Sequence, residues 1–348
     1  MSFELENIIR DNIRKLIPYS SAGNEFSGKA SIFLDANENP FNSPYNRYPD
    51  PIQKKLKERV SSLYNVPARN IFLGNGSDEA IDLTFRIFCT PGIDNVLSIT
   101  PSYGMYEVSA SVNDTEFRKV LLNEDYSFSA GSILEASDSY SKLVFLCSPN
   151  NPTGNLMSTE ETLKLLDKFR GVVVVDEAYI DFADSEGMLP YLNQYPNLIV
   201  LRTFSKAWGL AGIRLGMAFA SEEIIKLFNK VKYPYNLNIL TQNFALENLK
   251  SKKQKIDWIN EIIGQRKILE KEISDFKFVK KVYPSDANFL LVRVDYPGEL
   301  YNYLKENEII VRDRSSLVLC EDSLRITIGT KEENRALMKA INEFDSSG

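Results

Sequence analysis

The sequence predicts an α/β protein, with a large domain built on a mostly parallel sheet covered by helices and a smaller α/β domain after it. Three observations carry that expectation. Short continuous apolar runs at 143–147, 172–175 and 198–201 alternate with helical stretches, as parallel strands buried on both faces do. Each of these runs ends in a polar turn, where binding sites of such sheets lie. After Phe276 the pattern changes to a compact series of short strands and helices, read as a second domain.

The elements follow in order. Leu5, Ile8, Ile9, Ile13 and Leu16 recur at helical spacing until Pro18 stops the helix, which is expected to join the smaller domain. Residues 40–51, rich in Pro, Asn and Tyr, read as an extended loop, and 53–64 as a charged surface helix. A strand at 71–73 leads into Gly74-Asn75-Gly76-Ser77-Asp78, and 79–89 reads as a helix. A glycine turn opening a helix offers an anion free N–H groups and the positive end of the helix dipole. Next come a strand at 96–99, a helix at 103–112, a helix opened by Ser158 with Glu161 completing a capping box, and a strand at 217–220. Residues 222–276 are expected to be largely helical. Strands at 278–282, 289–294, 309–312 and 324–328, a helix near 298–307 and a last helix from Glu332 complete the smaller lobe. The expected divisions are 1–40 as an arm belonging in part to the small domain, 41–276 as the large domain and 277–348 as the small one.

Composition narrows the chemistry. The 348 residues suffice for two domains, and 43% hydrophobic with 25% charged content is ordinary for a soluble protein. A net charge of −6 argues against nucleic-acid binding, so an anionic ligand must be held by a local cluster of cations. Cys89, Cys147 and Cys320 are odd in number and far apart; they form neither a metal pattern nor a disulfide framework, which points to a reducing, cytoplasmic compartment. Residues 1–10 carry two glutamates and no apolar core, and so predict neither a signal nor a transit peptide. No apolar run reaches the ~18 residues of a membrane span. The absence of histidine excludes a Ser-His-Asp hydrolase, a papain-like thiol protease and a His-ligated metal site, and no metal is expected. A general base must then be Lys, Tyr, Asp, Glu or Cys.

The three polar turns carry Ser148-Pro149-Asn150-Asn151-Pro152-Thr153-Gly154, then Asp176-Glu177-Ala178-Tyr179, then Ser205-Lys206 with Arg214 eight residues on. A lysine after a serine means nothing alone; its company makes it informative. Together these residues read as the seat of pyridoxal 5′-phosphate, joined to Lys206 as a Schiff base. Lys206 needs a lowered pKa to attack an aldehyde, which burial and a nearby cation such as Arg214 would supply. Asp176 would pair with the pyridine nitrogen and keep it protonated, so that the ring draws electrons from the Cα carbanion. Tyr179 and Asn151 would meet the phenolic oxygen. Ser205 and Arg214, with the backbone around Ser77 and Asp78, would hold the phosphate. Tyr103 would stack on the ring, although an isolated tyrosine there is more often plain core. Arg312 and Arg314 share a face of a strand-like run and, with Arg325, make a cationic cluster on an acidic protein.

This order and spacing resemble the fold-type I pyridoxal-phosphate aminotransferases, and among them the histidinol-phosphate aminotransferase branch. The likeness runs from Leu16-Ile17-Pro18-Tyr19 to the last helix. It includes Asp35-Ala36-Asn37-Glu38-Asn39-Pro40, Arg47-Tyr48-Pro49-Asp50, Gly74-Asn75-Gly76-Ser77-Asp78-Glu79 and Leu324-Arg325-Ile326-Thr327-Ile328-Gly329-Thr330. The resemblance implies a seven-stranded sheet and a homodimer with a shared active site, in which the residue matching Tyr48 reaches the partner's cofactor phosphate. It implies that Arg325 holds the α-carboxylate, that Arg312 binds the distal anion, and that Tyr19 and Asn37 line the substrate pocket. Two stretches depart from the family pattern: Ser20-Ser21-Ala22 stands where Pro-Gly is frequent, and 315–323 has no match.

The implied activity is ping-pong transfer of an amino group between glutamate and imidazole-acetol phosphate, giving 2-oxoglutarate and histidinol phosphate, with Lys206 as the proton shuttle. Two other readings stay open: an aminotransferase acting on aromatic or other amino acids, and a decarboxylase of a phosphorylated amino acid. A cofactor-sensing regulator would carry a DNA-binding domain in front of a pattern that here begins at Leu16.

Overall fold

The computed structural model describes residues 3–19 and 31–347. The large sheet has seven strands: β1 (Ile71–Asn75), β2 (Asn95–Thr100), β3 (Glu116–Leu121), β4 (Ser141–Cys147), β5 (Val172–Asp176), β6 (Leu198–Thr203) and β7 (Leu215–Phe219). Their order is β1-β7-β6-β5-β4-β2-β3. β7 runs antiparallel to β1 and β6, and the remaining pairs are parallel.

Alternate residues of each central strand feed two separate cores. Val173, Val175 and Val200 pack with Leu56, Val60 and Leu165 on one face. Val172, Val174 and Leu201 pack with Ala80, Phe85 and Phe228 on the other. Both faces are dry, so these strands read as unbroken apolar runs. Each fully buried valine contributes about 1.5–3 kcal/mol to that core.

β3 is absent from the sequence expectation. Glu116, Arg118 and Lys119 make it charged and half-exposed, as an edge strand that resists further pairing. The short helix Ala130–Ala136, capped by Ser129 accepting from the Gly131 amide at 3.1 Å, carries too few apolar residues to show a period. Ser158 caps its helix as expected, accepting from the Glu161 amide at 3.2 Å. The capping box is not completed, because the Glu161 carboxylate turns to the Ala130 amide and Lys164.

The small sheet holds β8 (Val279–Val282), β9 (Phe289–Val294), β10 (Arg312–Asp313) and β11 (Ser323–Thr327), in the order β10-β11-β9-β8, all antiparallel. The strand expected at 309–312 shrinks to two residues. Helix Lys252–Ser274 buries Leu269 and Ile273 in this domain's core. The helical stretch expected over 222–276 is three helices, Glu222–Val231, Ile239–Asn248 and Lys252–Ser274, and Pro234 lies in the first break. Tyr179, Phe182 and Ala207 pack with Ala287 and Phe289, so the small sheet docks beside the polar turn after β5.

The N-terminal segment departs most from expectation. It forms a 3₁₀ turn, Leu5–Asn7, and a short helix, Asp11–Lys15, and it joins the large domain rather than the small one. Ile9 and Ile13 sink into the core containing Phe85 and Phe228, while the Arg10 amide donates to the Ile87 carbonyl at 3.1 Å. Two buried isoleucines need a groove, and the helices Gly76–Phe88 and Glu222–Val231 supply one there. Among the described residues no helix is long and apolar enough to cross a membrane.

Candidate active site

The loops beyond the carboxyl ends of β4, β5 and β6 converge on one cavity of about 150 Å³. Ser77, Asp78, Tyr103, Asn151, Asp176, Tyr179, Ser205, Lys206 and Arg214 all line it, together with Gly76, Cys147, Ala178, Thr203 and Ala211. Residues from Gly76 to Arg214 thus meet because the strands that carry them end on one edge of the sheet.

Asp176 closes β5 and is buried. Its Oδ1 accepts from the Ala178 amide at 3.1 Å and its Oδ2 from the Tyr106 hydroxyl at 2.9 Å. Burial pushes its pKa up to about 6, while those two donors hold it down. Its neighbour Glu177 turns the other way and pairs with buried Arg202 at 2.7 Å, accepting also from the Met188 amide. That pair ties the segment after β5 to β6 and to the loop at 186–188, since Arg202 also donates to the Glu186 carbonyl at 2.9 Å. Sequence reasoning found neither Tyr106 nor Arg202; both act across long sequence separations that leave no local pattern.

Lys206 follows β6. The side chain is exposed in the single chain, contrary to the burial expected of it, yet it lines the cavity and its ammonium lies 5.3 Å from the Tyr179 ring centroid. Its pKa is lowered, first by partial loss of water and then by Arg325, with Asp176 and Asp78 opposing. Arg214, expected to supply that push, contributes less than Arg325 and is itself paired with Asp78 at 3.2 Å. Tyr179 is buried edge-on against Phe289 at 5.2 Å, and burial pushes its phenol up.

The turn before helix Gly76–Phe88 is shaped for an anion. Gly76 has φ +72°, and a Cβ there would lie 2.7 Å from Arg214 Nη2. The first-turn amides of Ser77 and Asp78 have no acceptor within the helix. The Thr203 hydroxyl lies 3.0 Å from the Ser205 hydroxyl, which faces the same space. Tyr103 donates to Asp78 at 3.2 Å from the cavity wall. A phosphorylated pyridine aldehyde fits these residues: an anion cradle at one end, a carboxylate at another, and an amine near a tyrosine.

The small domain supplies cations. Arg325 sits on β11 directly opposite Arg312 on β10, so the two share a face. Arg325 Nη1 donates to Asn151 Oδ1, and its guanidinium lies 5.2 Å from the Phe289 ring centroid. Burial lowers the pKa of Arg325 and of Arg314. The Nε atoms of Arg314 and Arg325 and the Ser315 hydroxyl are buried without hydrogen-bond partners. Arg314, which the sequence left without a role, is therefore a second orphaned donor beside the site.

Five expected site residues do not line the cavity: Arg312 and Arg325 of the small domain, and Tyr48, Tyr19 and Asn37. Tyr48 is 58% exposed and stacks on Tyr235 at 4.5 Å, while Glu38 clamps the Tyr48 amide and Arg47, both at 2.6 Å. Tyr19 is exposed and lines a separate groove with Pro51 and Lys232. Asn37 is exposed with φ +53°. The Ser20-Ser21-Ala22 departure and the rest of the loop to Gly28 lie outside the described residues.

Comparison with known proteins agrees with this geometry. The profile of the class I and II aminotransferases matches residues 29–341. A histidinol-phosphate aminotransferase of Parabacteroides distasonis is 55% identical over 98% of this chain and 99% of its own length. The crystal structure of the histidinol-phosphate aminotransferase from Clostridium acetobutylicum superimposes with a TM-score of 0.80 at 25% identity, covering 87% of this chain and 92% of that one. The enzyme from Sinorhizobium meliloti, solved in complex with pyridoxal 5′-phosphate, has a TM-score of 0.79 at 23% identity over 86% of this chain and 83% of its own. This chain belongs to the class I and II aminotransferase family, in the branch of the histidinol-phosphate aminotransferases.

Proposed function

We propose that this aminotransferase uses pyridoxal 5′-phosphate to interconvert histidinol phosphate plus 2-oxoglutarate with imidazole-acetol phosphate plus glutamate. The observation that carries the substrate reading is the small-domain arginine group, in which Arg325 reaches the cavity-lining Asn151 and the buried Nε donors of Arg314 and Arg325 are left unpaired. Unpaired buried donors attract an anion, and the substrates of this reaction bring phosphate or carboxylate groups.

Bound in the cavity, the cofactor supplies the electron sink that loss of a Cα proton requires. Asp176 holds the proton of the ring nitrogen, and Tyr179 and Asn151 orient the phenolic oxygen. Ser205, Arg214 and the amides of Ser77 and Asp78 bind the phosphate. Arg325 orients the substrate carboxylate, Arg312 takes the distal anion, and Lys206 carries a proton away from Cα. With no histidine in the chain, a lysine of lowered pKa is the base facing that atom.

The site is completed by a second copy of the chain in this reading. Tyr48 is held by its stack on Tyr235 and by Glu38 and does not line its own chain's cavity, and Ile32, Leu34, Phe41 and Tyr45, near it in sequence, are exposed apolar surface. A homodimer covers that surface and delivers Tyr48 to the partner's phosphate. The cytoplasmic location expected from the cysteines belongs with the same reading.

The test is amino transfer from competing donors: histidinol phosphate, phenylalanine and glutamate. Preference for histidinol phosphate with glutamate-linked turnover supports the proposal. Preference for phenylalanine, or release of carbon dioxide, overturns it.

A further inference from the structure

Tyr106 is not on the cavity wall and carries no motif, yet it touches the most consequential carboxylate in the molecule. It lies in helix Met105–Val112, three residues after Tyr103. Its ring is fully buried, stacked on Phe145 at 4.8 Å and edge-on to Tyr103 at 5.5 Å. We propose that Tyr106 is a positioning residue of the cofactor site: its phenol, 2.9 Å from Asp176 Oδ2, keeps that carboxyl ionised and aimed at the ring nitrogen. The proposal rests on the placement of Asp176 opposite that nitrogen.

The electrostatics around Asp176 give this contact its meaning. The groups facing it are Tyr106, Tyr103 and Asp78, Cys147 at the end of β4, Tyr179, and Lys206 beyond β6. Burial and Asp78 both favour the protonated carboxyl, which cannot hold a ring proton in place. Tyr106 and the Ala178 amide oppose them by donating hydrogen bonds. A cation in the place of Tyr106 would neutralise Asp176 and compete with the protonated ring. A neutral phenol stabilises the carboxylate while leaving its full charge for the ring. Burial and Asp176 raise the pKa of the phenol itself, so it stays a donor throughout the working pH range.

The test is Y106F, which removes the hydroxyl and keeps the stacked ring. The cofactor-free full chain is titrated with pyridoxal 5′-phosphate and with its analogue in which carbon replaces the ring nitrogen, over a range of pH. A lost hydrogen bond to a charged group predicts ~10-fold weaker binding of pyridoxal phosphate. It also predicts that affinity fails at a higher pH on acidification, because the Asp176 pKa rises further. Affinity for the nitrogen-free analogue should be unchanged. In a D176N background, Y106F should cost nothing more. Equal loss on both ligands would reduce Tyr106 to packing, and no loss on either would make it idle; each overturns the proposal. If D176N retains the wild-type preference for pyridoxal phosphate over the analogue, the placement of Asp176 fails instead. Should Y106F not fold, Tyr106→Met, which also removes the donor while filling the buried volume, is put through the same pair of titrations, with the same outcomes deciding.

Discussion

The large-sheet wall of the cavity and the small-domain wall beside it, which touches the cavity-lining Asn151 through Arg325, differ in how their polar side chains are paired. On the large-sheet wall both oxygens of Asp176 accept hydrogen bonds, Asp78 is held by Tyr103 and Arg214, and the Thr203 and Ser205 hydroxyls lie within hydrogen-bond distance. On the small-domain wall Arg314 Nε, Arg325 Nε and the Ser315 hydroxyl are buried and unpaired. Each such group costs on the order of 1–3 kcal/mol until something accepts from it. The donors left open on the large-sheet wall are backbone amides, those of Ser77 and Asp78, whereas those left open on the small-domain wall belong to side chains. A wall with open side-chain donors suits anions that arrive and leave, and whose binding offsets the cost. In the reading proposed above, Asp176 faces the cofactor ring and the small-domain arginines face the substrate.

Substitutions on each wall separate the two roles. Lys206→Ala attacks the large-sheet wall at its centre. It should lower turnover by ~10³-fold or more and remove the visible absorbance of bound cofactor; an active, yellow variant contradicts the assignment. Arg314→Gln probes the other wall. Loss of a charge-assisted donor predicts a KM for the phosphorylated substrate ~10-fold higher, with kcat and the cofactor spectrum little changed. A loss in kcat with an altered spectrum would place Arg314 on the cofactor side and erase the contrast. The smallest effect concerns stability. The folded-state pKa of Asp176 is raised to about 6 from 3.8, so its stabilising contribution is complete below about pH 4 and lost as pH rises through about 6. Asp176→Asn should therefore make the cofactor-free protein about 2–3 kcal/mol more stable than wild type at pH 7, and not at pH 4. Urea unfolding at the two pH values measures this, and no difference at pH 7 would mean the carboxylate is not strained.

The same contrast explains how much was legible in the sequence. The large-sheet wall could be read because a strand buried on both faces is a run such as Val172 to Val175, and its polar end, Asp176, stands out against it. Such signals are local in sequence. β3 escaped because its charged edge residues resemble a loop, and Tyr106 because its hydroxyl meets a carboxylate 70 positions away. Arg202 was hidden as the buried partner of Glu177. On the small-domain wall, Arg312 and Arg325 followed from the family resemblance. The orphaned state of Arg314 could only come from packing, since no pattern marks a donor that lacks an acceptor. The N-terminal helix was misplaced for a related reason: an apolar stripe says that a helix docks, not where.

In the proposed site Lys206 is the amine that holds the cofactor, and the chain offers rivals. Burial pushes Lys57 and Lys232 down to about 8, which makes both chemically competent, although neither lines the cavity. Borohydride reduction of the cofactor-loaded protein fixes the cofactor to the amine that holds it, and peptide mapping by mass spectrometry then identifies that residue. The added mass is expected on Lys206 alone. Added mass on Lys57, Lys232 or any other lysine, with Lys206 unmodified, would contradict it.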